Sequence, residues 1–471
     1  MIHSRASDNI LAMKRPRILP VLVLICASFF SCVPRKKPTS VILIVLDTVR
    51  QDHLSLYGYP RKTTPFLERL GRESAVFDNA YSPMPNTVPA HASIFTGCYP
   101  SEHRVLHNGG RLENWTGDLL AEVLKKKGYQ TGAVPGSSVL DSWHGLNRGF
   151  YFYEDGHFEH RLDNAKEKGS VTIAQHRNAE QVINWAIQWL DRKKPEKPFF
   201  LFIHFWDAHY PYEMPAGFSP VFKTDADFIK YLNDNRYMLK DRFEDINLYD
   251  NTIYNIDRNL DKFYKYLETA KLLDNTLIII TADHGEGLGQ HSWYRHSRNL
   301  YQEQLLVPMI FRFPDKFKAG ARFHDPVSLI DIAPTVLDYL KLINDMRSQG
   351  FSLMPLISGN GKPSRECLFS ERRWYPEEKP KNDPNWAPGN KIAGVCGAWK
   401  LVWSDRENSE LFNIDEDIFE LDNLINSRPD KSKELDFKVN SHLKPAKTLP
   451  TQKQNIPEDQ KIILESLDYA Y

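Results

Sequence analysis

Continuous apolar runs alternate along the chain with stretches of helical period. Residues 41–46 form an unbroken run of Val, Ile and Leu, the pattern of a strand buried on both faces. Residues 277–281 repeat that pattern, and residues 199–205 form a third run behind Pro198. Shorter strands are predicted over 75–81, 131–134 and 307–311. Helices are predicted over 64–70, 90–96, 119–127, 179–190, 251–270 and 330–340. Pro65 suits a first helical turn, and Gly128 suits a helix end. Strands alternating with helices predict an α/β fold, with a large, mostly parallel mixed sheet sandwiched by helices.

Beyond about residue 364 the texture changes. Residues 376–390 are rich in Pro, Glu, Lys and Asn and read as a loop. Residues 392–403 and 410–414 read as antiparallel strands, and a polar helix is expected from Asn423. This predicts a small C-terminal antiparallel-sheet subdomain over 365–430, after a catalytic domain over 41–364. Residues 431–471 are expected to form an extended arm and a short terminal helix.

The first 32 residues do not belong to the fold. Lys14, Arg15 and Arg17 precede an apolar run at 18–30, and Ser31-Cys32 follows. That is the layout of a secretory signal, and it resembles a bacterial lipoprotein signal. The apolar run is short for a membrane span. Residues 33–40, with Arg35-Lys36-Lys37, read as a tether. The expectation is an extracytoplasmic protein held on a bacterial membrane by lipid on Cys32. Phe29 and Phe30 depart from the usual residues before such a cysteine, which leaves plain secretion or an uncleaved anchor open.

Charge narrows the partners. The 60 basic and 60 acidic residues cancel, so nothing in the balance suggests nucleic acid. Aromatics at 12% would suit a cleft for sugar-like groups. With Cys26 and Cys32 in the signal, Cys98, Cys367 and Cys396 permit at most one disulfide. Cys367 with Cys396 is favoured by proximity.

The candidate chemistry lies at strand ends. Asp47 closes the first strand, where a carboxylate can hold a divalent cation. Asp283-His284 closes another, and Gly285 allows a tight turn. Burying that pair without a partner would be costly, so a metal or a counter-charge is implied; a metal here would be Zn or Mn in preference to Ca. His204, Asp207 and His209 follow the run at 199–205. His209 is a candidate for protonating a leaving group, and His204 could equally be a core histidine. His291 and His296 are expected on the same rim. Thr87, two before Pro89, is expected in a bend ahead of a helix. There a hydroxyl is well placed to attack a bound anionic ester. In open α/β sheets such sites gather at strand C-termini.

These residues carry a family resemblance. LDTVRQDHLSLYGYPRKTTPFL, NTVPAHASIFTG, FIHFWDAHYPY, TADHGEGLGQH, LYQEQLLVPMIFR, VSLIDIAPTVLDYL and ELFNIDEDIFELDNL occur in that order. The chain resembles the sulfatase family of the alkaline-phosphatase superfamily from about 41 to 424. The resemblance implies an alkaline-phosphatase-like fold and one divalent metal held by Asp47, Thr87, Asp283 and His284. The catalytic group expected is Thr87, His209, His291, His296 and His91. Sulfatases carry Cys or Ser, oxidised to formylglycine, where this chain has Thr87, and Arg where it has His91. Thr48 stands at the second metal aspartate and His284 at the usual asparagine. Threonine oxidation would give a ketone, so formylglycine is excluded. Similar family members with Thr, such as phosphoethanolamine transferases, act on phosphoesters.

The resulting expectation is a metal-dependent hydrolase or transferase acting on an anionic phosphate-type ester, on a glycan or a lipid. Two rivals remain. One is a sulfuric ester hydrolase working without formylglycine. The other is a catalytically inactive surface-binding lipoprotein.

Overall fold

The computed structural model describes residues 39–155, 176–194, 196–234, 243–315, 317–342, 346–361, 365–375, 387–447, 456, 457, 460, 461 and 464. The expected signal and most of the tether, to residue 38, lie outside them, as does much of the expected arm. Residues 38–471 form one compact unit.

The large sheet uses β1 (Ser40–Leu46), β2 (Ala75–Tyr81), β3 (Gln130–Val134), β4 (Phe152–Tyr153), β5 (Phe199–Phe205) and β6 (Thr276–Ala282). After a small hairpin of β7 (Gly287–Leu288) and β8 (Tyr294–Arg295) come β9 (Leu306–Arg312), β10 (Arg322–Phe323) and β11 (Val327–Ser328). The order is β10-β2-β9-β6-β1-β5-β3-β4, with β11 also on β2. β9 runs antiparallel to β2 and β6, and every other pairing is parallel. This is the expected mixed, mostly parallel sheet. β1 is central and wholly buried, as its lack of alternation requires. Each of its large aliphatic side chains contributes about 1.5–3 kcal/mol by leaving water. In register, Leu46 faces Phe205 on one side and Ala282 on the other. The residues that follow, Asp47 and Asp283, therefore emerge side by side.

A second, four-stranded antiparallel sheet joins β12 (Leu368–Tyr375), β13 (Gly389–Cys396), β14 (Trp399–Ser404) and β15 (Glu410–Asn413). Cys367 and Cys396 form a disulfide there. This sheet packs on the first through Tyr81, Leu300, Leu305 and Leu306. Ser370 Oγ donates to the Ser82 carbonyl at 2.6 Å, and the Glu371 N–H donates to the Pro83 carbonyl at 2.8 Å.

Several boundaries differ from expectation. The run at 392–403 is split into β13 and β14 by a reversal at Gly397, whose φ of +60° favours glycine. β12 carries the charged pair Glu371-Arg372 and was not expected. Both side chains are buried, with Arg372 donating to the Ala387, Pro388 and Gly389 carbonyls. The polar helix starts at Pro429, not Asn423, and runs to Lys447, so it takes the first part of the expected arm. Asn423 Oδ1 instead accepts from the Leu411 and Ile425 N–H groups and closes a turn. The helix expected from Ala90 is Thr87–Thr96. Thr87 is thus its first residue and not a bend ahead of it, because Asn86 takes the extended cap conformation. Proline is tolerated in a first turn, where its missing N–H would have no intrahelical partner.

Candidate active site

Asp47, Thr87, Asp283 and His284 come together and have no solvent exposure. One oxygen of each carboxylate is held by hydrogen bonds, and the other is bare. Asp283 Oδ1 accepts from the N–H groups of His284 at 2.8 Å and Thr48 at 3.1 Å. Asp47 Oδ2 accepts from His204 Nε2 at 3.0 Å. Asp47 Oδ1 and Asp283 Oδ2 have no hydrogen-bond partner.

The histidine tautomers follow from their neighbours. His284 Nδ1 donates to the Gly285 carbonyl at 2.9 Å, so Nε2 carries a lone pair. That nitrogen is 3.4 Å from Thr87 Oγ1 and 3.4 Å from Asp283 Oδ2. His204 accepts the Gly136 N–H on Nδ1 at 3.2 Å and donates through Nε2. Both its nitrogens are therefore occupied. It orients Asp47 and cannot itself be a ligand, although it lies close to His91 and Asp283.

Ligand atoms of Asp47, Asp283 and His284 all lie within 4.8 Å of one another. Two bare buried carboxylate oxygens and an imidazole lone pair fit one divalent cation, since the alternative is buried acceptors with nothing to accept. Burial and the neighbouring Asp283 push the Asp47 carboxyl well above its ordinary value. Two carboxylates with an imidazole suit Zn or Mn.

Thr48 is turned away. Its hydroxyl lies 2.8 Å from both the Asp47 and Ala208 carbonyls, and only its N–H serves the site. Its φ of +57° is unfavourable for a β-branched residue and marks strain stored beside the site.

The remaining histidines divide. His91 lies on the Thr87 helix and donates Nδ1–H to the Thr87 carbonyl at 2.8 Å. Burial lowers its pKa to about 3, so it is neutral and brings no positive charge. His296 packs 4.6 Å from the His284 ring centre, and His209 packs 5.0 Å from His296. His209 is stacked on Trp206 at 3.8 Å. The three imidazoles form a file leading to Thr87. His296 Nδ1 lies 3.1 Å from Glu286 Oε1.

His291 corrects the expectation. Its Nδ1 is 3.0 Å from the Glu303 carboxylate, and its Nε2 donates to the Glu420 carbonyl at 2.9 Å. Burial alone would lower its pKa, but Glu303 outweighs burial and raises it to about 9. It is a partly buried cation that bridges Glu303 and the Glu420 carbonyl of the C-terminal part, and these partners, not the Thr87 cluster, take both its nitrogens. A sequence cannot distinguish these two histidines, five residues apart. The left-handed backbone at His291, φ +53°, sends it the other way.

Sequence reasoning missed the orienting role of His204 and the pairing of Glu286 with His296. It also missed Ser82, whose hydroxyl holds the Asp283 carbonyl at 2.5 Å. Glu286 was legible as an acid in the Asp-His-Gly-Glu turn, and Ser82 left no signal.

Residues 39–342 match the Sulfatase family, and residues 289–448 match the family described as N-sulphoglucosamine sulphohydrolase, C-terminal. The chain belongs to the sulfatase family. Similar proteins include an arylsulfatase of Clostridium perfringens, 25% identical, covering 84% of this chain and 92% of that one. An N-acetylglucosamine-6-O-sulfatase of Bacteroides thetaiotaomicron is 25% identical over 79% of this chain and 82% of that one. Among solved structures, the phosphonate monoester hydrolase of Agrobacterium radiobacter aligns with TM-score 0.67 and 21% identity, covering 86% and 95% of the two chains. An enzyme bound to its substrate D-glucosamine-2-N,6-O-disulfate aligns with TM-score 0.69 and 20% identity, covering 89% and 100%. At these identities the structures establish the fold. The chain is a sulfatase-family ester hydrolase.

Proposed function

We propose that the protein is an extracytoplasmic hydrolase or transferase that opens a phosphate-type ester with Thr87. One observation carries this reading. The hydroxyl at the start of the Thr87–Thr96 helix lies 3.4 Å from His284 Nε2, beside two bare carboxylate oxygens, and it is a threonine. Threonine offers one oxygen nucleophile and no hydratable aldehyde.

A divalent cation held by Asp47, Thr87, Asp283 and His284 would supply Lewis acidity and ease loss of the Thr87 proton. The chain's own residues do the rest. Thr87 Oγ forms a bond to phosphorus as the bond to the leaving oxygen breaks, and the departing alcohol gains a proton. β-Branching restricts χ1 of Thr87 and keeps the oxygen aimed. The helix N-terminus favours the anion. In this reading His296, packed against His284, and His209 behind it handle the protons. Water or an acceptor hydroxyl then releases the phosphoryl group from Thr87.

A sulfate ester on a glycan is the second reading, favoured by relatives named as sulfatases of N-acetylglucosamine. The extracytoplasmic setting is supported by the Cys367–Cys396 disulfide and by relatives described as extracellular sulfatases. Attachment through Cys32 belongs to the same proposal. Among the described residues no helix is long and apolar enough to cross a membrane. The test is a screen of phosphomonoester, phosphodiester, phosphonate monoester and sulfate substrates, with and without Mn²⁺. Metal-dependent turnover fastest on a phosphorus ester supports the proposal, and fastest turnover on a sulfate ester replaces it with the second reading.

A further inference from the structure

A recess of about 360 Å³ is lined by residues at the opposite end of the strands from the candidate active site. Gln130 begins β3, and Lys197 lies two residues before β5. The candidate catalytic groups follow the other ends of β1, β5 and β6. The seven residues of β5 separate the two edges by about 23 Å at roughly 3.3 Å per residue.

Tyr129, Tyr151 and Trp189 are the aromatic residues of its lining. Tyr151 is 70% exposed, with Lys125 Nζ 4.0 Å from its ring centre. Trp189 lies against β3 at Gly132, where a Cβ would come within 2.4 Å of the indole. Only glycine lets the indole sit there. Lys193 is part of the lining, as are Arg192, Lys194 and Lys197. Among the described residues none of Arg192, Lys194 and Lys197 is ion-paired, and Glu196 in the same loop pairs with none of them. The cations are positioned by backbone instead. Gln130 Nε2 donates to the Lys194 carbonyl at 2.9 Å, and the Lys194 N–H donates to Gln130 Oε1 at 2.7 Å. The Tyr151 N–H is held at 3.0 Å by the Thr131 carbonyl and at 3.0 Å by its hydroxyl. Like charges gathered without carboxylates repel one another, and an anion relieves that cost.

We infer that this recess binds an anionic sugar unit of a polysaccharide, carboxylated or sulfated. The sugar face would lie on Tyr151 and Trp189, with its charge on Arg192, Lys194 and Lys197. Concavity, aromatic walls with polar tips and a few convergent polar groups are what small polar ligands need. A membrane surface would call for protruding apolar side chains, and Tyr151 is the one exposed large hydrophobic residue lining the recess. The inference does not depend on which ester the catalytic edge cleaves. The site would hold a polymer on the enzyme at a distance from Thr87.

The experiment uses the full chain carrying Thr87→Ala, which prevents turnover. Calorimetry is run with a heparin tetrasaccharide, a tetragalacturonate, neutral maltotetraose and phosphatidylglycerol vesicles. The expected result is binding of at least one anionic tetrasaccharide and none of maltotetraose. Affinity should fall about tenfold or more on adding Tyr151→Ala, and at least as far on adding Lys194→Glu with Lys197→Glu. Those surface variants, made with Thr87 intact, should keep the wild-type kcat/KM on a small chromogenic ester, so failure of the catalytic proposal would show separately. Absence of anionic-sugar binding overturns the inference, as does binding indifferent to both sets of variants. Loss with the lysine variants but not with Tyr151→Ala overturns the sugar assignment, leaving a nonspecific polyanion patch. Vesicle binding in place of oligosaccharide binding overturns it in favour of membrane docking.

Discussion

His204 Nε2 donates to Asp47 Oδ2 at 3.0 Å while the Gly136 N–H closes His204 Nδ1 at 3.2 Å. A strand histidine thus fixes which oxygen of Asp47 stays bare. Gly136 is required for this approach, since a Cβ there would lie 2.5 Å from the His204 carbonyl. His204→Phe keeps much of the volume and removes the donor. Metal affinity should fall roughly 10- to 100-fold, as it does when such outer partners are lost. Titration calorimetry with Mn²⁺ or Zn²⁺, beside a thermal melt to check folding, measures it. Unchanged affinity would remove His204 from the site.

Thr87→Ala should reduce turnover by roughly 10⁴-fold or more, because nucleophile losses are of that size, with the melting temperature near wild type. Thr87→Ser should retain phosphorus-ester activity, because the oxygen remains. Thr87→Cys, expressed with a formylglycine-generating enzyme, should stay unconverted by mass spectrometry, because His91 stands where the modification motif has arginine. Appearance of the aldehyde would show that His91 is no barrier.

His291 gives the chain a pH dependence away from the metal cluster. Its pKa rises from 6.5 to about 9 on folding. A raised folded pKa stabilises fully below the unfolded value and loses that contribution as pH climbs through the folded one. The groups facing it are the Glu303 carboxylate, the Glu420 carbonyl and the stacked Tyr301 ring, with Glu420 in turn paired to Lys400. Urea midpoints should fall between pH 6.5 and 9, and His291→Gln should flatten that slope. An equally steep slope in the variant would assign the effect elsewhere.

The disulfide closes a separation of 29 residues between Cys367 and Cys396. A loop of this size contributes about 3–4 kcal/mol in the chain-entropy account. Cys367→Ser with Cys396→Ser should lower the melting temperature, and dithiothreitol should reproduce the shift in wild type but not in the double variant.

Cys32→Ser should move the protein from membrane to soluble fractions. Persistent membrane association would indicate an uncleaved anchor over 18–30.

Sequence alone pointed to the buried strands, because residues 41–46, 199–205 and 277–281 are short apolar runs rich in β-branched or aromatic residues. It also picked out Asp47, Thr87, Asp283 and His284 as candidates, since metal ligands and a nucleophile must be particular residue types. Tertiary structure decided which of them face one point. The parallel register of Leu46 with Ala282 brings Asp47 beside Asp283 across 235 intervening residues, and no local pattern encodes that pairing. Tertiary structure also sorted the histidines. His91, His204, His209, His291 and His296 have the same side chain, and only their partners decide each role. Those partners are a carbonyl on the same helix for His91, Asp47 for His204 and an indole face for His209. For His291 they are a carboxylate and a distant carbonyl, and for His296 they are Glu286 and His284. The partners lie far apart in the chain, and a histidine's tautomer and charge follow from the groups that folding brings against it.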